Sequence, residues 1–84
     1  MFTSKGLKYE HLLKMKELFD SIIAEANKDP KDYYEYWRKE AENIIMQVAD
    51  LPTDEAYEKA IKMIETSARF ELKRRDIVRG ILDR

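Results

Sequence analysis

The chain of 84 residues contains no cysteine, one histidine, two glycines and two prolines. Without cysteine it can form no disulfide and perform no thiolate chemistry, and this absence fits a cytoplasmic location. With so few helix-breaking residues, long uninterrupted helices are possible. No stretch approaches the roughly 18 apolar residues of a membrane span, and the charged N-terminal segment lacks the apolar core of a signal peptide. We therefore expect no association with a membrane.

The residue types that enzymes use for chemistry are also scarce. The single histidine, His11, is not part of a Glu-x-x-His or His-Glu-x-x-His motif, so the sequence predicts no metal or cofactor site. Gly6 and Gly80 belong to no phosphate-binding loop. We expect His11 to be exposed or at the edge of the core, and Glu71 to pair with a neighbouring Arg or Lys. The sequence therefore predicts a protein that is not an enzyme.

What the chain does contain is typical of helices: 39% of its residues are charged and 44% are hydrophobic. Two short joints divide the chain into helical segments, one at Asp29-Pro30 and one at Pro52-Thr53. In each joint a residue that can cap a helix lies beside a proline. We predict a single all-α domain over 1–84, with helices at about 7–27, 30–50 and 54–82. Joints this short favour an up-down-up antiparallel bundle with a long C-terminal helix. A chain of this length buries a small core, so we also expect it to dimerise.

Apolar residues spaced three and four apart mark one face of each predicted helix. These faces predict a shared core, whose main members are Phe19, Ile22, Trp37, Ile44, Ile61 and Ile64. The aromatic cluster Tyr33–Trp37 contributes to it unequally. At about 100° per residue, Tyr34 and Trp37 lie within the apolar face, Tyr33 lies at its edge and Tyr36 points away from it.

The third predicted helix has a second apolar face, formed by Met63, Phe70, Ile77 and Ile81. The first face ends near Leu72, where the helix continues with arginines. In two alternatives the second face covers the first helix, or the end of the third helix bends back. We favour a third interpretation, in which these residues contact another protein chain, either a second copy or a different partner.

Charge is distributed unevenly although the net charge is only −1. Residues 29–58 carry nine acidic and three basic residues, whereas 69–84 carry six basic and three acidic residues. We predict a recognition face on the second helix, where an aromatic residue lies among acids: Tyr36, Glu35, Glu40 and Glu42. The basic end of the third helix raises a second hypothesis, nucleic-acid binding, with three candidate contact residues: Arg74, Arg75 and Arg79.

These patterns favour a small cytoplasmic interaction protein, a regulator, inhibitor or adaptor, that docks on or occludes another macromolecule. Its partner is expected to be a protein, and nucleic acid is the alternative.

Overall fold

The computed structural model describes residues 5–82, which form three α-helices and a short 3-10 helix and contain no β-strand. Helix α1 spans Tyr9–Glu25, the 3-10 helix Pro30–Tyr33, α2 Tyr34–Val48 and α3 Thr53–Leu82. The three α-helices pack together, which confirms the all-α fold class. The up-down-up order and dimerisation stay predictions.

Helix α1 ends at a residue with a left-handed backbone. Asn27 has φ of 62°. Its amide donates to the Ala24 carbonyl, at 2.9 Å, and the Lys28 amide donates to the Ile23 carbonyl, at 3.2 Å. These two hydrogen bonds are those of a Schellman motif, which closes a helix by satisfying carbonyls of its last turn. Helix α1 is therefore shorter than the predicted 7–27.

The joint before α2 contains the predicted cap. The Asp29 side chain accepts a hydrogen bond from the Lys31 amide, and Pro30 occupies the first turn, which confirms both assignments. The turn that they open is a 3-10 helix, which has three residues per turn rather than 3.6. Extrapolating an α-helical face back to residue 30 therefore misplaces the side chains of this turn.

The joint between α2 and α3 differs from its prediction. Helix α3 begins at Thr53 itself, and the Thr53 hydroxyl is buried without a hydrogen-bond partner among residues 5–82, so the expected side-chain cap is absent. The Ala56 amide instead donates to the Pro52 carbonyl, at 2.8 Å. The N-terminal segment also contacts this joint, because the Gly6 amide donates to the Leu51 carbonyl, at 2.8 Å.

Helix α3 packs along both α1 and α2, whereas α1 and α2 contact each other only weakly. Four of the six predicted main core residues are buried, which confirms them: Phe19, Ile22, Ile44 and Ile64. Trp37 and Ile61 are only half-buried but pack against the core, so their assignment to it is confirmed in part. Small side chains on α3 bring the helices close to one another: Ala56, Ala60 and Ala68.

The aromatic cluster is arranged differently from its prediction. Tyr33 is buried, with 3% of its surface exposed, whereas Tyr34 is 55% exposed. Tyr36 packs at the edge of the core, with its ring centroid 6.3 Å from that of Phe19. The 3-10 turn accounts for Tyr33. Tyr36 is partly covered because it contacts α3, where its hydroxyl donates a hydrogen bond to the Ser67 carbonyl.

Helix α3 extends beyond the core. Between Lys73 and Leu82 every residue is exposed except Arg75, which is half-buried. We call residues 73–82 the α3 extension, and at 1.5 Å per residue it is about 15 Å long. The radius of gyration is 14.5 Å, compared with about 12 Å for a compact chain of this length. The predicted long C-terminal helix and the predicted end of its first apolar face near Leu72 are both present.

Candidate functional site

Three large apolar residues follow one exposed line on α3. Phe70, Ile77 and Ile81 are 62%, 56% and 65% exposed, and we call them the α3 stripe. Val78 and Leu82 are exposed beside it. Met63, predicted on the same face, differs because it is half-buried and packs against the core. Several large exposed apolar residues on one part of a small protein are a candidate contact site.

The exposure of the α3 stripe distinguishes between the interpretations of the second apolar face. Its side chains do not cover α1, because each is more than half exposed. The helix also does not bend back, because it continues unbroken to Leu82 and passes through Gly80. Within residues 5–82 the stripe therefore has no covering element, and the third interpretation, contact with another chain, stays a prediction.

The predicted recognition face on α2 is divided between two environments. Tyr36 donates a hydrogen bond to the Ser67 carbonyl, at 3.1 Å, and the Ser67 hydroxyl donates to the Glu40 carboxylate, at 2.9 Å. Tyr36 and Glu40 thus join α2 to α3, so the expectation that Tyr36 points away from the core was wrong. Glu35 and Glu42 are exposed.

The environment of Tyr36 affects its ionisation. Burial raises the pKa of the Tyr36 hydroxyl, and the negative charge of Glu40 raises it further, while the hydrogen bond with Ser67 acts in the opposite direction. The neutral phenol is therefore the form that this contact between α2 and α3 favours.

Glu71 is the buried charged residue of the core, with 2% of its surface exposed. It accepts a hydrogen bond from Arg74, three residues later, and forms a second ion pair with Arg75, at 3.8 Å. Pairing of Glu71 with neighbouring arginines is thereby confirmed. A buried carboxylate without such partners would cost several kcal/mol, so the two arginines have a role within the fold.

Arg75 makes two further contacts that tie α3 to the start of α2. Its guanidinium donates to the Asp32 carbonyl, at 3.1 Å, and its Cζ lies 3.7 Å from the centroid of the Tyr33 ring. Of the three arginines proposed to contact nucleic acid, Arg74 and Arg75 are thus engaged by the protein itself. Arg79 is exposed and makes no ion pair with another residue of the segment 5–82. Fewer arginines are therefore free to contact phosphate than the sequence indicated, and nucleic-acid binding stays a hypothesis.

A groove between α1 and α2 was not predicted from the sequence. It is an open groove of about 470 Å³. Seven of its lining residues are apolar or aromatic, Tyr9, Leu12, Leu13, Tyr34, Trp37, Ala41 and Ile45, and three are charged, Lys16, Arg38 and Glu42. We call it the α1–α2 groove. Along α2 it extends from Tyr34 to Ile45, about 16 Å at 1.5 Å per residue. Three of its large apolar or aromatic residues are exposed to solvent: Tyr9, Leu13 and Tyr34.

His11 lies at the edge of the core, as predicted. Its ring stacks on Tyr57, with 4.6 Å between the ring centroids, and its Nδ1 accepts a hydrogen bond from the Lys8 amide. These contacts give it a structural role at the start of α1. Among residues 5–82, no group of three or more His, Asp or Glu side chains could hold a metal ion.

Comparison of the chain with protein-family models, with curated proteins and with solved structures finds no match in any of the three. In the segment 5–82 no helix has the length and apolar character needed to cross a membrane. Functional inference therefore rests on the surfaces described above, of which the α3 stripe and the α1–α2 groove are the two apolar ones.

Proposed function

We propose that the chain is a small, non-enzymatic, cytoplasmic interaction protein, a regulator, inhibitor or adaptor, that docks on or occludes another macromolecule. In this proposal it is an up-down-up bundle that associates through α3. One observation carries the proposal: the α3 stripe is exposed on a helix that continues about 15 Å past its own core.

The energy available from this surface is of the size that weak docking requires. Complete burial of a large apolar side chain contributes roughly 1.5–3 kcal/mol, and five such residues are exposed from Phe70 to Leu82. Because these side chains are only 40–77% exposed, burying the rest supplies at most roughly 5–9 kcal/mol, and association costs at least about 4 kcal/mol in lost motion. The three residues of the α3 stripe alone would leave little surplus, so we expect Val78 and Leu82 to take part in the contact.

Charge near the stripe and on α2 would then influence which partner is accepted. Lys73 and Arg79 are exposed around the stripe, and Glu35 and Glu42 are exposed on α2. Charges at the rim of an interface affect association rate and selectivity more than affinity. Glu35 and Glu42 therefore remain candidate recognition residues. Tyr36 is a weaker candidate for contact with a partner, because its hydroxyl is already bonded to Ser67.

The proposal is tested by affinity capture from cell extract with the full chain and with a Phe70→Ser/Ile77→Ser variant. We expect the variant to lose the captured proteins, because it loses apolar contact area. Met46→Ser is the matched control, since Met46 is 78% exposed on α2 outside both surfaces. Equal capture by all three chains would contradict the proposal. A nucleic-acid complex that weakens steeply with salt and is lost in Arg79→Glu would support the second hypothesis instead.

A further inference from the structure

We propose that the α3 stripe packs against an amphipathic helix of a partner protein, and that the residues beside the apolar face of that partner helix are acidic. This inference rests on the proposed function, because it states the chemistry of the partner that docks on α3. Two observations carry it: the sign of the charges beside the stripe, and the narrowness of the stripe.

The charged residues beside the α3 stripe are all basic. At about 100° per residue, the part of α3 from residue 59 to 82 has four charged residues within a quarter turn of Phe70: Lys59, Lys62, Lys73 and Arg74. All four are exposed. The acidic residues of the same segment, Glu65, Glu71 and Asp76, lie farther round the helix, and Glu71 is buried. We call the stripe and its four basic neighbours the α3 face.

Two shallow hollows in the surface of α3 combine apolar and basic residues in the same way. One has a volume of about 300 Å³ and is lined by three arginines with Val78 and Leu82. The other has a volume of about 360 Å³ and is lined by Lys59, Lys62, Met63, Thr66 and Ser67. Among residues 5–82, no acid lines either hollow. A complementary partner therefore supplies apolar side chains together with negative charge, since potentials of opposite sign meet across specific interfaces.

The stripe is narrow, which favours a helix as the partner. Phe70, Ile77 and Ile81 lie within about 40° of one another round α3, and the half-buried Met63 lies on the same line. Val78 and Leu82 widen the apolar surface near the end of the helix. A narrow apolar line is the seam along which two helices pack, whereas binding in a membrane interface requires a broad apolar face. From Met63 to Ile81 the seam is about 27 Å long, which corresponds to about five helical turns of a partner.

Nucleic acid and a second copy are less complementary to the α3 face. The phosphate backbone that dominates nucleic-acid affinity would pair with the basic residues, but it offers no apolar surface to Ile77 and Ile81. Two α3 faces packed on each other would bring four positive charges against four, and juxtaposed like charges are unfavourable. An acidic amphipathic helix satisfies both the apolar and the basic residues.

Binding of synthetic peptides to the full chain tests the charge of the partner. The probe is a fluorescent helical peptide of about 18 residues, with leucines three and four residues apart and glutamates beside them. Its matched control has lysine in place of every glutamate. We expect the glutamate peptide to bind at least about tenfold more tightly than the lysine peptide, measured by fluorescence anisotropy. Equal binding of the two peptides, or no binding of the glutamate peptide, would overturn the inference.

Variants of the chain determine whether the charge acts at the α3 face. Lys59→Glu/Lys73→Glu should weaken binding of the glutamate peptide at least about tenfold. Lys14→Glu/Lys39→Glu is the matched control: it changes the net charge equally at exposed positions on α1 and α2, and screening by salt should limit its effect to less than about threefold. Circular dichroism checks that both variants fold. Equal weakening by the two variants would show that net charge rather than the α3 face is responsible, and would overturn the inference.

Other occupants are tested with the same protein. Tighter binding to vesicles of anionic phospholipid or to duplex DNA than to the glutamate peptide would overturn the inference. Sedimentation of the chain alone tests the second copy: a dimer that Phe70→Ser/Ile77→Ser abolishes would make a second copy the occupant, and the acidic partner would be wrong.

Capture from cell extract separates this inference from the proposed function. If capture is lost in Phe70→Ser/Ile77→Ser but unchanged in Lys59→Glu/Lys73→Glu, the proposed function stands and the acidic partner is wrong. If capture is unchanged in both variants, the proposed function itself fails. Preference for the glutamate peptide, together with loss of its binding in both variants but not in Lys14→Glu/Lys39→Glu, is the result that we expect.

Discussion

The Arg75 guanidinium lies over the Tyr33 ring, with its Cζ 3.7 Å from the ring centroid. The same group donates to the Asp32 carbonyl and pairs with Glu71. One side chain thus connects the 3-10 helix, the buried carboxylate and the point where α3 leaves the core. It marks the boundary between the part of α3 that stabilises the fold and the part that is available to a partner.

Replacing Arg75 with lysine should therefore destabilise the protein although the charge is kept. A lysine ammonium lacks the planar surface and the multiple donors that contact Tyr33 and Asp32. We expect a loss of about 1–2 kcal/mol in the free energy of unfolding, measured by urea denaturation. Arg79→Lys is the control, and a change within about 0.5 kcal/mol is expected there because Arg79 is exposed. Equal effects at the two positions would show that the stacking does not contribute.

Phe19 and Trp37 should differ in their contribution to stability. Their rings contact each other, with 5.6 Å between centroids, but Phe19 is fully buried and Trp37 is half-buried. We expect Phe19→Ala to cost about 3–5 kcal/mol and Trp37→Ala roughly 1–3 kcal/mol. Urea denaturation followed by circular dichroism measures both. A larger loss of unfolding free energy for Trp37→Ala than for Phe19→Ala would contradict this order and show that Trp37 contributes more to the core than Phe19.

The spacing of apolar residues was sufficient to predict much of the fold. Phe19, Ile22, Ile44 and Ile64 were identified because residues three and four apart share one side of a helix whatever it packs against. The pairing of Glu71 followed in the same way, since Arg74 and Arg75 are three and four residues away on the same helix. Each of these predictions depends on geometry within one helix.

The errors arose where the geometry depends on more than one element. The 3-10 turn rotates Tyr33 into the core, and its presence could not be read from a period of 3.6 residues. Tyr36 is covered by Ser67, which lies 31 residues away in sequence. The α1–α2 groove depends on the separation of two helices, which no periodicity records. The candidate site was therefore predicted where it lies on α3 alone and missed where two helices form it.

Tyr36 should make stability sensitive to alkaline pH. Its pKa is raised in the folded protein above the usual value of about 10. A raised pKa means that folding favours the neutral phenol, so this stabilisation is fully present below about pH 10 and is lost as pH rises through the folded-state pKa. We expect the difference in melting temperature between wild type and Tyr36→Phe to be constant below about pH 10 and to change as the pH rises above it. Tyrosinate absorbance of the two proteins gives the ionisation of Tyr36 by difference. A pKa at or below the usual value would contradict the prediction.

Asn27, which has a left-handed backbone conformation at the end of α1, is a position where one substitution should preserve or raise stability and another should lower it. Asn27 adopts φ of 62°, a conformation that glycine reaches without the steric cost that other residues pay. Asn27→Gly should therefore leave the free energy of unfolding unchanged or raise it by up to about 1 kcal/mol, while Asn27→Ala should lower it by about 1 kcal/mol. The exposed position of Asn27 means that neither change removes core contacts. Thermal and urea denaturation measure the stability of both variants. If the glycine variant were less stable than the alanine variant, the Asn27 side chain rather than its backbone conformation would determine where α1 ends.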